Sequence, residues 1–289
     1  MKVSVIIPHY SDLAALDCCL AGLQNQTFPA ENMEIIVADN ASPQGAQAVS
    51  DLIAGRARLV IVPQKGAGPA RNGGVAASHG EILAFIDSDC QPNAEWISQG
   101  VAALAKNDFV GGSVEVLVQD PLRISAAEAF ECVFAFDMER YVLDKGFAGA
   151  GNLFCPRTVF DAVGGFGVGL SEDVDWSRRA TGKGFRLGYA KGAIVGHPAR
   201  RTWSELQRKW VRINAETYAL TTRAPGGRLK WTLLCLALPI SALVHTVKVI
   251  RTDKLRGANQ RMSALAVLYR LRIWRMFDSF RLLYSTRGA

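Results

Sequence analysis

Polar and apolar positions over the first ninety residues follow two alternating rhythms. Short, mostly apolar runs lie at Val3 to Ile7, Glu34 to Ala38, Arg58 to Val62 and Ile82 to Ile86. Between them apolar residues recur three or four apart, as at Leu13, Leu16, Leu20 and Leu23. The runs predict strands, and the spacing predicts helices over Asp12 to Gln26, Pro43 to Ala54 and Pro69 to Ser78. Ser42 reads as a cap of the second helix and Gly80 as a stop after the third. This β-α-β-α-β-α-β order implies a parallel sheet with right-handed crossovers. Ile82 to Ile86 is apolar at every position, as suits a strand covered on both faces. Every strand then ends on one edge, where Pro8 to Asp12, Asp39 to Ser42, Lys65 to Asn72 and Asp87 to Asp89 converge.

The pattern loosens after residue 100. A strand with a Gly111-Gly112 break is expected within Asp108 to Val118, and a mostly helical stretch over Pro121 to Tyr141. Gly146 to Gly151 reads as a glycine-rich loop, and Pro156 to Val163 as a short helix stopped by Gly164-Gly165. Ser171 reads as the cap of a further helix, with Glu172, Asp173 and Asp175 in its first turn. Phe185 to Ala190 and Ala193 to Gly196 are expected as two short strands, the second ending at His197-Pro198.

Past Ala199 the rhythm is helical again. Trp203, Leu206, Trp210 and Ile213 share a face, with Arg208, Lys209 and Arg212 between them. Trp231 to Val244 runs 14 residues without a charge. A bilayer crossing needs about 20 apolar residues, and extending the run to Ile250 takes in His245 and Lys248. Residues 251–289 carry nine Lys+Arg and two Asp+Glu, and a short basic tail tends to stay cytoplasmic. The expectation is a re-entrant or interfacial arrangement rather than a single crossing.

Charge sharpens this division. The net +7 conceals 15 Lys+Arg against 22 Asp+Glu in residues 1–199, and 18 against 4 in residues 200–289. An acidic front followed by a basic back points to a polyanionic surface as partner of the back part. The six cysteines show no C-x-x-C pair and read as reduced thiols of a cytosolic compartment. The chain opens directly in a strand, with no signal peptide expected ahead of it.

The edge carries the candidate chemistry. Asp87 and Asp89, one residue apart at a strand end, repel each other and any phosphate unless a cation lies between them. Mg²⁺ or Mn²⁺ held by carboxylates and substrate phosphates meets that need, and His197 is a candidate third ligand. A nucleotide-sugar fits such an edge. Asp39 could accept hydrogen bonds from a pyrimidine base, and Arg71 could steady phosphate. A hydroxyl attacking a sugar carbon must lose its proton. Asp173 is the candidate base, with Glu172 and Asp175 as rivals.

These pieces resemble a known family, the inverting GT-A-fold glycosyltransferases of family 2. The matching segments are Val3-Ser4-Val5-Ile6-Ile7-Pro8-His9-Tyr10, Val37-Ala38-Asp39-Asn40-Ala41-Ser42 and Gly68-Pro69-Ala70-Arg71-Asn72-Gly73-Gly74. Phe85-Ile86-Asp87-Ser88-Asp89 is similar to the metal-binding D-x-D. The stretch from Gly149-Ala150-Gly151-Asn152 to Val163-Gly164-Gly165-Phe166 is similar to the acceptor-side segment, and Ser171-Glu172-Asp173-Val174-Asp175 to the E-D motif. Together they cover about residues 3–200 in order.

The resemblance implies an α/β GT-A domain, Rossmann-like with a mostly parallel sheet, over residues 1–200. A basic, membrane-associated helical region over 201–289 would follow it. It implies a nucleotide-diphospho-sugar donor, Mg²⁺ or Mn²⁺, and inversion by direct displacement with Asp173 as base. Donor contacts are expected from Pro8, Tyr10, Asp12, Asp39, Arg71, Asn72, Asp87 and Ser88, and acceptor contacts from Gly151, Asn152 and Glu172. Ser11 stands where Asn is common in the family. Leu206-Gln207-Arg208-Lys209-Trp210 lacks the Q-x-x-R-W order of processive synthases, so a single addition is expected. The basic back suggests a glycan or lipid-linked acceptor at the cytoplasmic face of a bacterial inner membrane, with the protein peripheral or monotopic and no nucleic acid as partner. The rivals are a metal-dependent nucleotidyltransferase, which would release pyrophosphate, and a nucleic-acid binder using the basic part.

Overall fold

Strand β1 (Val3–His9) is buried along its whole length and lies in the middle of the sheet. The computed structural model describes residues 1–169 and 171–285. After β1 come α1 (Leu13–Gln24), β2 (Met33–Asp39), α2 (Gly45–Ile53), β3 (Arg58–Ile61), α3 (Ala67–Ala76), β4 (Ile82–Ile86), β5 (Gln91–Pro92) and α4 (Trp96–Ala103). Then follow β6 (Phe109–Leu117), α5 (Ala126–Phe134), α6 (Met138–Leu143), β7 (Asn152–Pro156), α7 (Arg157–Val163), α8 (Glu172–Gly182) and β8 (Leu187–Pro198). Three long helices close the chain: α9 (Trp203–Thr222), α10 (Gly227–Arg251) and α11 (Gly257–Ser285).

The chain divides into two compact units, Met1–Glu115 with Phe136–His197, and Val116–Ala135 with Pro198–Ala289. Segment 116–135 therefore packs with the C-terminal helices, a partition that periodicity along the chain does not reveal.

In the first unit the strands run in the order β3-β2-β1-β4-β7-β6-β8-β5. The pairs β3–β2, β2–β1 and β1–β4 are parallel, as the repeating strand–helix pattern requires. Beyond β4 the sheet changes character. β7 is antiparallel to both β4 and β6, and β5 is antiparallel to β8. Side chains alternate across the sheet. Val3, Val5 and Ile7 face a core with Leu16, Leu20 and Trp96, while Ile6 faces one with Leu83, Phe85, Phe160 and Trp176. Each such side chain contributes about 1.5–3 kcal/mol on burial.

Several local expectations are revised. The helical stretch over Pro121 to Tyr141 is two helices, because Phe136 between them takes a left-handed φ of 55°. The two strands expected at 185–196 are the single strand β8, since Lys191-Gly192 stays extended. α3 starts at Ala67, leaving Pro69 in a first turn whose N–H groups lack helical partners anyway. Neither serine caps its helix. Ser42 turns its hydroxyl to Asp39, and Ser171 has a φ of 58° with no side-chain cap bond. All six cysteines are free, and burial pushes the thiols of Cys19, Cys90 and Cys155 up, so they stay protonated.

In the second unit, capping boxes open α5 (Ser125 with Glu128) and α9 (Thr202 with Glu205), each satisfying two orphan N–H groups. Glu131 on α5 is fully buried and is neutralised by Lys209 at 2.7 Å and Arg200 at 3.1 Å. The charge-free run lies within α10, whose 25 residues make it long and apolar enough to cross a membrane by length and composition. Leu229, Leu236, Ile240, Leu243, Val244 and Ile250 on this helix are exposed.

Candidate active site

The parallel strands place their carboxyl ends together, and the first charge there is Arg71. It lies on α3 with its side chain only 5% exposed. Its Nη2 donates to Asp87 Oδ1 at 2.6 Å, and its Nη1 to Glu172 Oε1 at 2.7 Å. Burial works against a cation, but the two carboxylates outweigh it and hold Arg71 more firmly protonated than usual. One guanidinium thus joins the D-x-D, directly after β4, to the E-D pair in the first turn of α8.

Asp173 stands beside this bridge. Its Oδ1 accepts from the Val174 amide at 2.8 Å. Gly149 approaches its other oxygen, and a Cβ on that glycine would sit 3.8 Å from Asp173 Oδ2. Loss of hydration and the neighbouring Glu172 charge both push the Asp173 carboxyl above the ordinary aspartate range. A carboxylate less stable than usual is a stronger proton acceptor, which is what a general base needs.

Asp87 is placed by register. Ile86 pairs with Asn152, so Gly151 falls next to Asp87. Two residues on, Asp89 Oδ2 lies 3.3 Å from His197 Nε2 at the end of β8, with Phe136 packed on the imidazole at 4.6 Å. Neighbouring ligands on an octahedral ion with bonds of about 2.1 Å lie about 3 Å apart. The Asp89 oxygen and the His197 nitrogen, in direct contact at 3.3 Å, are near enough for one ion to reach both. Among the described residues no group of three or more His, Cys, Asp or Glu side chains is gathered for a metal. The donors here fit a cation whose remaining ligands come from substrate phosphates and water, as is usual for Mg²⁺.

The other expected residues are placed as follows. Asp39 is buried, with His9 Nδ1 at 2.8 Å and the Ser42 hydroxyl at 2.5 Å on Oδ1, and the Ser42 amide at 3.0 Å on Oδ2. Burial would raise its pKa, but the bonds from Ser42 and His9 outweigh it and keep the carboxyl low. Asp12 is exposed and caps α1 by accepting from the Ala15 amide. Pro8 is buried, Tyr10 is 58% exposed at the strand edge, and Ser88 is half-buried. Asn72 exchanges two 2.8 Å bonds with the backbone of Phe166, whose ring lies 5.6 Å from the Arg71 guanidinium. Asn152 is fully buried. It accepts from Trp96 Nε1 and donates to the Ser113 and Ala193 carbonyls, tying β6, β7 and β8 together.

The structure therefore gathers Arg71, Asp87, Gly151, Glu172 and Asp173, with Asp89 and His197 adjoining through the D-x-D. It does not bring the side chains of Asp12, Asp39 and Asn152 into that group. His9, Ser42, Phe136 and Phe166 are supporting residues that the sequence reading missed. His9, Ser42 and Phe166 each lie inside one of the family-like segments, whereas Phe136 carried no such signal.

Residues 4–174 match the profile described as Glycosyl transferase family 2. The chain belongs to that family. It is 35% identical over 219 residues to glycosyltransferase AglE of Haloferax volcanii, covering 73% of this chain and 71% of that protein. It is 33% identical over 94 residues to a poly(ribitol-phosphate) beta-glucosyltransferase of Bacillus spizizenii, a match to 31% of this chain and 15% of the relative. Among solved structures, the mannosyltransferase PcManGT of Pyrobaculum calidifontis, in complex with GDP-Man and Mn²⁺, superposes with a TM-score of 0.55 at 17% identity. That match covers 100% of this chain and 75% of the other. S. aureus TarS 1–349 gives 0.51 at 15% identity over 94% and 71%. These likenesses establish the GT-A fold, and the family assignment makes the protein a glycosyltransferase.

Proposed function

We propose that this glycosyltransferase moves a single sugar from a nucleotide-diphospho-sugar to a hydroxyl acceptor, with inversion at the anomeric carbon. The observation that carries the reading is the Arg71 bridge between Asp87 and Glu172, which sets the donor-side acids next to the raised carboxyl of Asp173. In this reading the acceptor oxygen forms a bond to the anomeric carbon while the bond from that carbon to the diphosphate breaks. Asp173 takes the acceptor proton on Oδ2, since Oδ1 is held by the Val174 amide. Glu172, fixed by Arg71, steadies the acceptor. A divalent cation, held by Asp89 and His197 beside Asp87, would supply Lewis-acid stabilisation of the departing diphosphate.

The donor class and the cation are supported by the GDP-Man and Mn²⁺ of the Pyrobaculum mannosyltransferase structure. An acceptor presented at a membrane, such as a lipid-linked glycan of cell-surface polysaccharide assembly, is supported by the exposed apolar side chains of α10 and by the basic C-terminal part. We assign the protein on this basis to the cytoplasmic face of the membrane, lying on it rather than threading it.

The test is product analysis with Mn²⁺ and a panel of nucleotide-sugars. Release of a nucleoside diphosphate by the wild type and not by Asp173→Asn is expected. Release of pyrophosphate, or equal turnover by the variant, would overturn the reading.

A further inference from the structure

In the second unit, α9 and α11 meet through stacked cations. Trp203 and Trp210 lie seven residues apart on one face of α9. Arg270 stacks 4.0 Å over the first ring and Arg275 3.9 Å over the second. Arg275 Nε donates to Asn214 Oδ1 at 3.0 Å, and Asn214 donates in turn to Asp278 Oδ2 at 2.9 Å. The other Asp278 oxygen accepts from Arg281 at 2.8 Å. The Arg275 guanidinium is thus held flat and oriented, while the carboxylate facing it is already engaged on both oxygens.

Arg272 lies one turn earlier on α11, and its buried Nε has no hydrogen-bond partner among the described residues. Burial presses on the cationic form of both arginines, and Arg272 adds repulsion to Arg275. A guanidinium cannot shed its proton in a protein. Two partly desolvated cations side by side, one with an unpartnered Nε and the other only partly offset by Asp278, are costly unless a further anion completes them. Ile273 and Phe277, within the same two turns, are exposed apolar surface.

We infer that Arg272 and Arg275 form a receptor for a phosphate group, carried by an anionic lipid or free in solution. The planar forks suit phosphate oxygens, and the Trp210 stack with Asn214 orients one fork in advance. Nothing in this assignment depends on the transferase reading. It rests on the membrane reading only if the phosphate belongs to a lipid.

The experiment is thermal unfolding of the full chain, followed by tryptophan fluorescence at fixed ionic strength. Additions are inorganic phosphate, phosphatidic acid vesicles or phosphatidylcholine vesicles. Wild type should melt higher with phosphate or with phosphatidic acid. A response to inorganic phosphate marks a free anion, and a response to phosphatidic acid alone marks a lipid head. Arg272→Gln removes an unpaired cation, so it should melt no lower than wild type without ligand, yet need at least about tenfold more phosphate or phosphatidic acid. Arg275→Lys keeps the charge, loses the fork, and should weaken the same response. A purely structural Arg272 would give the reverse, a lower melting point with an unchanged response, and would overturn the inference. Equal responses of wild type and Arg272→Gln, or none by wild type, would also overturn it. Vesicle docking through α10 alone would leave Arg272→Gln binding both vesicle types like wild type, so the membrane reading could survive that failure.

Discussion

A Cβ placed on Gly151 would lie 2.5 Å from Asp87 Oδ2. The contact follows from the pairing of Ile86 with Asn152, which brings β7 up beside the D-x-D. Glycine at 151 is therefore what lets Asp87 turn toward Arg71. Gly151→Ala should displace that carboxylate by a few tenths of an ångström or more while leaving the fold intact. A misplacement of about 1 Å in a reacting constellation costs about 100-fold in rate. The expected outcome is a large fall in kcat/KM with a melting temperature close to wild type, read by donor-turnover kinetics and calorimetry together.

Asp173 predicts a trade between stability and activity. Its raised carboxyl means that the folded protein holds this proton more tightly than the unfolded chain. Stability from this group is complete below the ordinary aspartate pKa and is lost as pH rises through the folded value. At neutral pH the ionised Asp173 is therefore a cost to folding. Asp173→Asn keeps an acceptor for the Val174 amide and removes that cost. The variant should melt slightly higher than wild type at pH 7, with the difference shrinking toward pH 4, and should lose about 10²–10⁴-fold in transfer. Unfolding scans across pH, paired with turnover, check both halves.

Arg71 should be the residue whose loss harms the fold of the site most. Arg71→Ala leaves Asp87 and Glu172 facing each other without their shared cation. Breaking a buried pair costs about 3–5 kcal/mol, and the solvent access Asp87 retains places this case near the low end. Mn²⁺ should recover part of the lost melting temperature in Arg71→Ala and less of it in the double variant with Asp89→Ala. Denaturant titrations with and without Mn²⁺ measure this.

The strand-helix rhythm made the parallel half of the sheet legible, because β1 to β4 are contiguous apolar runs joined by short helices. The acids of the site were legible for the same reason, since each follows directly from a strand end or a helix start. The antiparallel half was not. Nothing local shows that Asn152 will pair beside Ile86 rather than face a substrate, and its capture by Trp96, Ser113 and Ala193 is a long-range outcome. Asp39 was read as an acceptor for a pyrimidine base, and its bond to His9, thirty residues earlier on a neighbouring strand, is a long-range pairing that local pattern does not show. Segment 116–135 was read with the front domain by sequence proximity. The buried Glu131, satisfied by Arg200 and Lys209, shows why it packs with the C-terminal helices instead.

α10 bears on the last prediction. At 25 residues and a rise of about 1.5 Å each, it exceeds the roughly 30 Å of a bilayer's hydrocarbon core. Length no longer opposes a crossing, but the basic composition of residues 251–289 still does. A helix lying on the headgroups should leave both of its ends on the cytoplasmic side. In a Cys18→Ser background, which removes the one exposed native thiol, cysteines at Lys230 and Lys254 should both react with an impermeant reagent in inside-out vesicles and neither in right-side-out ones. Opposite labelling of the two would establish a crossing. In either geometry the exposed Ile240 and Leu243, at 65% and 63%, are the side chains expected to contact lipid if the proposed membrane association holds. Replacing each with Asp should weaken vesicle co-sedimentation by roughly 30-fold per site, the equivalent of about 2 kcal/mol of lost apolar burial.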